Sequence, residues 1–254
     1  MNKQLKERKQ YLVEGGYIRE EEITFGQCDQ NLNVHMSNLL KQFVATSSLH
    51  CQAYELTYET LLVEDKAFIV TRMTLQIHRM PKCFDSLIIT TYLDGIKGPY
   101  YQRVVQWEDE EGNILVSGRS DWVLVSPTKK TIYRPSKDDE FYRTVCPIEI
   151  KCGSCRKVEV RGIELAELGT HQVKWSELDG NGHVHSGNYG DYVWDYLPSE
   201  LQEKVPTTFT LEFKKEVCLN DQIAILGSQK EDGSYVVVGQ GEKGVHFIGG
   251  IQWN

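Results

Sequence analysis

The 254-residue sequence has no long hydrophobic run. Its apolar stretches, such as those at 114–116 and 122–125, are strand-sized, far short of the roughly 20 residues a spanning helix needs. No apolar segment follows the basic start MNKQLKERKQ, so a secretory signal is not expected. A Ser-rich, plastid-type leader is missing too, which favours a bacterial-type cytoplasmic protein. Positive charge is scarce: 28 Lys and Arg stand against 36 Asp and Glu, a net charge of -8. Nucleic acid is therefore not an expected partner, because neutralising phosphates takes a basic face. Paired cysteines are lacking as well. The seven (28, 51, 83, 146, 152, 155, 218) are scattered and odd in number, which reads as reduced thiols in a cytoplasm. His183 and His185 form an H-x-H without a third or fourth ligand nearby, so no metal is expected. Cys152 and Cys155 form a single C-x-x-C, read as surface thiols. No cofactor motif is present.

What the sequence does have is an internal repeat. DQNLNVHMSNLL from Asp29 matches DGNGHVHSGNYG from Asp179 at an offset of 150, with Asp, Asn, Val, His and Asn shared. TLQIHRMPKCFD from Thr74 aligns with TLEFKKEVCLND from Thr210 at 136. EGNILVSG from Glu111 aligns with DGSYVVVG from Asp232 at 121. Three pairs in one order, with a shrinking offset, are what duplication followed by loop shortening leaves. Within each copy, 37–56 and 186–198 carry helical patterning, with Ser37 and Ser186 placed as N-caps and Pro198 as a stop. Alternation predicts strands at 68–79, 100–107, 114–125, 208–217 and 235–240, with hairpin turns at 108–113 and 231–234. Each copy is thus a strand, a helix and a run of antiparallel strands, an α+β architecture. The copies divide as 1–143 and 159–254, joined by a linker at 144–158.

Strand, central helix, then antiparallel strands, twice in tandem, resembles the double hotdog, each sheet wrapped around its helix. ELDGNGHVHSGNYGDYV (177–193) resembles the LD-x-N-x-HV-x-N signature of acyl-[acyl-carrier-protein] thioesterases. LEFKKEV (211–217) is similar to that family's L-E-aromatic-basic-basic-E-C strand. RMTLQIHRMPKCFD (72–85) and SDWVLVSPTKKTIYRPS (120–136) are similar to its first half. The resemblance runs from about residue 17 to the C-terminus. It implies hydrolysis of an acyl thioester on acyl carrier protein, releasing a fatty acid. One departure stands out: Val217 occupies the family's cysteine position, and Cys218 follows it. A cysteine nucleophile is therefore not expected, whereas a carboxylate mechanism survives in Glu216.

Asp179, Asn181 and His183 alternate just ahead of a helix, so they point the same way in an extended loop toward amides at the helix start. The expected roles are Glu216 as general base and Asn181 with His183 polarising the carbonyl or water. Asp179 orients the site, shares the base role or is partly structural. The first copy has Asn33 opposite His183 and Met80 opposite Glu216. It lacks both proton-shuttling groups and is expected to shape the acyl pocket. An acidic enzyme needs a local basic patch for an acidic carrier. Arg156 and Lys157, in the basic stretch 143–161, and Lys129 and Lys130 are the candidates. An acyl-coenzyme A thioesterase, a hotdog dehydratase and a non-catalytic acyl-binding module are the alternatives. A homodimer is left open.

Overall fold

The structure, a computed structural model, describes residues 10–13, 15–136, 141, 145 and 153–253. In the first half, β1 (Gln10–Val13) and β2 (Gly16–Glu22) precede α1 (Met36–Ala53) and α2 (Tyr58–Val63). Then come β3 (Ala67–Ile77), β4 (Ser86–Lys97), β5 (Tyr100–Glu108), β6 (Ile114–Ser126) and the short β7 (Thr131–Ile132). The second half has β8 (Ala166–Gln172), α3 (Tyr189–Trp194), α4 (Ser199–Gln202), β9 (Thr208–Phe213), β10 (Gln222–Gln229), β11 (Tyr235–Gly241) and β12 (Gly244–Gln252). The path through the sheet is β1-β2-β4-β5-β6-β3-β9-β12-β11-β10-β8, with β7 paired to β6. Leaving β1 and β7 aside, this order is a palindrome. Two antiparallel sheets meet edge to edge, each carrying its own helix, as a tandem double hotdog requires. No helix among the described residues is long and apolar enough to cross a membrane.

The seam between the halves is the pairing of β3 with β9, from Arg72↔Glu212 to Gln76↔Thr208. At its centre Thr74 pairs with Thr210, its own counterpart at offset 136, and their hydroxyls lie 3.1 Å apart. A residue meeting its own copy marks a two-fold relation, here internal to one chain. The helices confirm it. Gly187 and Gly190 bring the start of the second-half helix against α1 so closely that a Cβ on Gly190 would lie 2.8 Å from the Ser37 amide. One continuous core results, built from α1 (Leu39, Leu40, Phe43), α3 (Tyr189, Tyr192, Val193) and both sheets. Trp107 on β5 donates its buried Nε1 to Gln42 Oε1 at 2.9 Å, which seats α1 on its sheet and gives the indole a partner.

The offsets of 150 and 136 hold in space, but the one of 121 does not. Residues 114–117 begin β6, whereas 235–238 begin β11, whose counterpart in the strand order is β5. The true match for β6 is β12. Gly118 pairs with Leu75, and Gly249 with Leu211, at an offset of 131. Each of these glycines lies under its own helix, against Phe43 and Val193 respectively. A turn followed by apolar alternation is too generic to tell neighbouring hairpins apart. The helix starts also differ from expectation. The N-caps are His35 and His185, not Ser37 and Ser186. The second helix is a 3-10 turn, Ser186–Asn188, running into six α-helical residues that stop at Trp194, not at Pro198. β9 ends at Phe213, so Glu216 stands in the loop beyond it rather than on the strand.

Most of the expected linker lies outside the described residues, as do Arg143 and Lys151. Residues 153–158 cross the sheet on the face opposite the helices. The Gly153 amide donates to Gln76 Oε1 at 3.2 Å, Arg156 to Thr74 Oγ1 at 3.4 Å, and Val158 to Glu212 Oε1. Cys155 is drawn into this strap, its thiol donating to the Arg119 carbonyl at 3.1 Å. Burial pushes its pKa up to about 12, so it is not the surface thiol expected.

Close helix contact makes a sharp test. Gly190→Ala should lose about 1–3 kcal/mol in urea denaturation, since its methyl meets backbone that cannot swing away. Gly26→Ala, with nothing within 4 Å of the added carbon, should stay within about 0.5 kcal/mol of wild type. Equal effects would show that the helices are not in contact through glycine.

Candidate active site

The loops at Asp29 and Asp179 fold alike because their side chains hydrogen-bond their own backbone. Asp29 Oδ1 accepts from Asn31 N at 2.8 Å and Asn33 N at 3.0 Å, and Asp179 Oδ1 accepts from Asn181 N at 2.8 Å. The fourth position is left-handed in both, Leu32 at φ 61° and Gly182 at φ 74°. Asn38 and Asn188 each bind a carbonyl before the loop, Gln27 O at 3.0 Å and Glu177 O at 2.8 Å. Four of the five shared residues thus have a backbone or packing role. Val34 and Val184 are core. The His185 Nδ1 accepts from Gly187 N at 3.0 Å, so the amide expected to serve a substrate is already occupied.

The residues that differ between copies come together. His183 bridges Cys218 as Asn33 bridges Lys82, and Val184 N donates to Val217 O at 2.9 Å as Val34 N does to Pro81 O. This pairing brings the loop after β9 against the Asp179 loop. His183 Nε2 then stands 3.6 Å from Glu216 Oε2, with side chains 39% and 58% exposed. Val217 is fully buried, pointing away into the core. Cys218 does not line the cavity described next. Tyr58 on α2 carries no sequence signal of a site role; its hydroxyl donates to Asn181 Oδ1 at 2.9 Å. Nothing local signals a contact that spans 123 positions.

Asp179, Asn181, His183 and Glu216 all line one cavity of about 700 Å³. It begins where the seam parts. β3 and β9 pair only as far as Arg72 and Glu212. Beyond them 66–71 and 213–216 form opposite walls. The cavity continues along α1 (Val44, Ser47, Cys51) to an apolar end with Leu56, Phe68 and Trp122. Exposed Lys214, Lys215 and Lys243 stand at its rim beside Glu216. Lys214 Nζ also bonds Glu212 Oε2 at 2.6 Å, the same carboxylate that holds the strap at Val158. Arg156 and Lys157 are exposed on that strap, next to the rim but not lining the cavity. Lys129 and Lys130 are exposed in the turn after β6, also outside the lining.

The symmetry-related position beside Asp29 and Asn33 holds only about 20 Å³. Trp194, Gln202 and 203–206 fill it together with Met80. At offset 150 the counterpart of Trp194 is Val44, a wall of the large cavity. A long α1 with a small residue opens one site, and a short second helix with tryptophan closes the other. Because the loop bonds recur in both copies, Asp29→Ala should cost about 1–2 kcal/mol of stability, and Asp179→Ala no more than that, by denaturant unfolding. A much larger loss for Asp179→Ala would mean that its carboxylate carries a fold role the first copy lacks.

Comparison with known proteins agrees with this architecture. The family model for the acyl-ACP thioesterase N-terminal domain matches residues 15–145, and that for the C-terminal domain matches 163–245. A chloroplastic acyl-[acyl-carrier-protein] hydrolase of Cuphea viscosissima is 22% identical over 204 residues, covering 74% of this chain and 48% of that protein. A chloroplastic palmitoyl-acyl carrier protein thioesterase of Gossypium hirsutum is 23% identical over 211 residues, 77% of this chain and 50% of that one. The chain therefore spans about half the length of the plant relatives it matches. Among solved structures, an acyl-ACP thioesterase from Bacteroides thetaiotaomicron superposes with a TM-score of 0.86 at 16% identity, covering 94% of this chain and 98% of that one. A 12:0-ACP thioesterase from Umbellularia californica gives 0.81 at 15% identity, covering 96% and 99%. These likenesses establish the double-hotdog fold. With both of its halves matched in order, the chain belongs to the acyl-ACP thioesterase family.

Proposed function

We propose that this protein hydrolyses acyl thioesters carried on acyl carrier protein, releasing a free fatty acid. One observation carries the reading: a cavity of about 700 Å³ joins a His–Glu pair at its rim to an interior lined mainly by apolar side chains. The activities for which its plant relatives are named agree with it. A thioester seated at the rim lays its acyl chain along α1. The 3.6 Å between His183 and Glu216 is too long for a hydrogen bond and suits a shared water or substrate atom. Glu216 removes the water proton as it attacks the carbonyl carbon. His183 and Asn181 steady the oxyanion until the thiolate leaves. Tyr58 occupies Asn181 Oδ1, which leaves Nδ2 as the donor toward the carbonyl. Asp179 acts by holding the loop. The first half, to residue 143, supplies the acyl wall and the second, from 159, the chemistry.

Lys214, Lys215 and Lys243, with Arg156 and Lys157 beside them, give an acidic carrier a basic rim on an otherwise acidic molecule. Lys129 and Lys130 are the second such cluster, set apart from the rim. A reduced cytoplasm suits the scattered thiols, and self-association is read by sedimentation across concentrations.

Steady-state hydrolysis of a long-chain carrier thioester tests the assignment. Glu216→Gln and His183→Ala should each lower kcat by about 10²–10⁴-fold, whereas Asn33→Ala and Cys218→Ala stay within a few-fold of wild type. An acyl adduct on Cys218 in a quenched reaction, or a folded but inactive Cys218→Ala, would restore a cysteine mechanism. Val44→Trp copies the plug of the other half. It should abolish turnover of long chains while an acetyl thioester is still cleaved, and an unchanged long-chain rate would place the acyl chain elsewhere. Charge reversal at Lys214 and Lys215 should raise KM for the carrier substrate more than for the matching acyl-coenzyme A, by a margin that shrinks with salt. Equal KM changes for both substrates would favour acyl-coenzyme A as the natural substrate.

A further inference from the structure

The cavity contains a charge that the hydrolytic chemistry leaves unused. Arg103 on β5 lines it and is 6% exposed. Its Nη1 donates to His50 Nδ1 at 2.8 Å and reaches Thr91 Oγ1 at 3.4 Å, and Nη2 reaches Cys51 Sγ at 3.6 Å. None of these is a carboxylate. Burial and the nearby guanidinium push the His50 pKa down to about 3, so His50 stays neutral and accepts at Nδ1. Other arginines of the sheet are compensated. Arg72 reaches Asp121 and Glu212, and Arg119 reaches Asp94 at 2.6 Å. No carboxylate forms an ion pair with Arg103 among the described residues. Around it stand Leu93, Tyr101, Trp122 and Phe141, an apolar setting in which an unpaired cation is strongly disfavoured.

Arg103 also sits away from the reacting groups. Gly187, just past the His183 loop, packs on Lys41 of α1, whereas Arg103 holds His50 and Cys51, more than two turns further along the helix. The lining stretch of α1 from Val44 to Cys51 rises about 10 Å, roughly eight bonds of an extended chain. Among the described residues no carboxylate reaches the cation there, and a carboxylate carried by the ligand would supply that partner. We propose that the cavity takes an acyl thioester whose distal end carries a carboxylate, and that the Arg103 guanidinium pairs with that carboxylate. The proposal rests on the hydrolytic reading for the thioester end alone. A planar guanidinium held at Nη1 by His50 and at Nη2 by Cys51 is fixed in orientation, and a carboxylate is the group its fork geometry matches. A methyl terminus in the same place leaves the cation as unpaired as before.

The test pairs two carrier-bound substrates, decanoyl and its 9-carboxynonanoyl analogue, on wild type and Arg103→Met. Wild type should favour the carboxylate-ended chain by about 30-fold or more in kcat/KM, and Arg103→Met should reverse the order. Arg103→Lys, which keeps the charge, should retain part of the preference. Calorimetry of wild type with sebacate and with decanoate needs no turnover, and sebacate should bind more tightly. If Arg103→Met fails to fold, the wild-type preference and the calorimetry still decide. Sebacate binding without cleavage of either thioester would uphold the Arg103 site and sink the hydrolytic reading. Cleavage of the decanoyl chain with no preference for the carboxylate, or no binding of sebacate, would overturn the Arg103 proposal while hydrolysis stands.

Discussion

Everything functional in this molecule depends on where β3 and β9 stop pairing. Five residue pairs tie the halves together, from Gln76↔Thr208 to Arg72↔Glu212, and then the strands part. A shift of register between Val70 and Arg72 against β6 lies at the same point, and such bulges commonly end or redirect a ladder. Backbone at 67–71, which has no partner on the β9 side, becomes a cavity wall. Were the pairing extended further along the ladder, the walls would close and Glu216 would be cut off from the cavity interior. The pair nearest the opening is also the most heavily tied. Buried Glu212 holds Arg72, Lys214 and the strap amide of Val158 together.

Duplication gave two such frames, and side-chain volume separates their fates. The loop hydrogen bonds survive in both copies because they are needed to build the turn. Trp194 and Val44 hold the same place in the repeat, yet one fills its side and the other leaves about 700 Å³ open. Tryptophan at this position makes restoration of His and Glu in the first copy insufficient for a second site. Loss of proton-shuttling groups there and loss of space go together.

The Asp-Asn window and the strand match at 136 could be read in the sequence because their residue types are dictated by backbone bonds and core positions. Asp29, Asn38 and Val34 have few substitutes in that turn. The third match misled because a Gly-containing hairpin turn before apolar residues occurs wherever two strands meet. Helix ends were misplaced by one to four residues because histidines, not the serines beside them, cap the starts, and because the second helix stops at Trp194. Tyr58, Arg103 and the Val44–Trp194 contrast were illegible for another reason. Each acquires its meaning from partners far along the chain, and no local pattern distinguishes a cavity wall from ordinary core.

The strap over the seam bears on how a substrate gets in. Gly153, Arg156 and Val158 are hydrogen-bonded to Gln76, Thr74 and Glu212, while on the opposite face Gly187 and Gly190 lock the second helix start against α1. The halves are therefore clamped on both sides of the sheet, and the connection between them is no hinge. Opening by rotation of one half against the other would break both clamps and divide the shared core. Admission is left to the elements that stand outside them, chiefly α2 with Tyr58 and the free edge of β3. Motion of this kind is local, on the scale of a loop rather than a domain. On the proposed hydrolytic reading, releasing Tyr58 from Asn181 to admit a chain would disturb the same side chain that is assigned to the carbonyl.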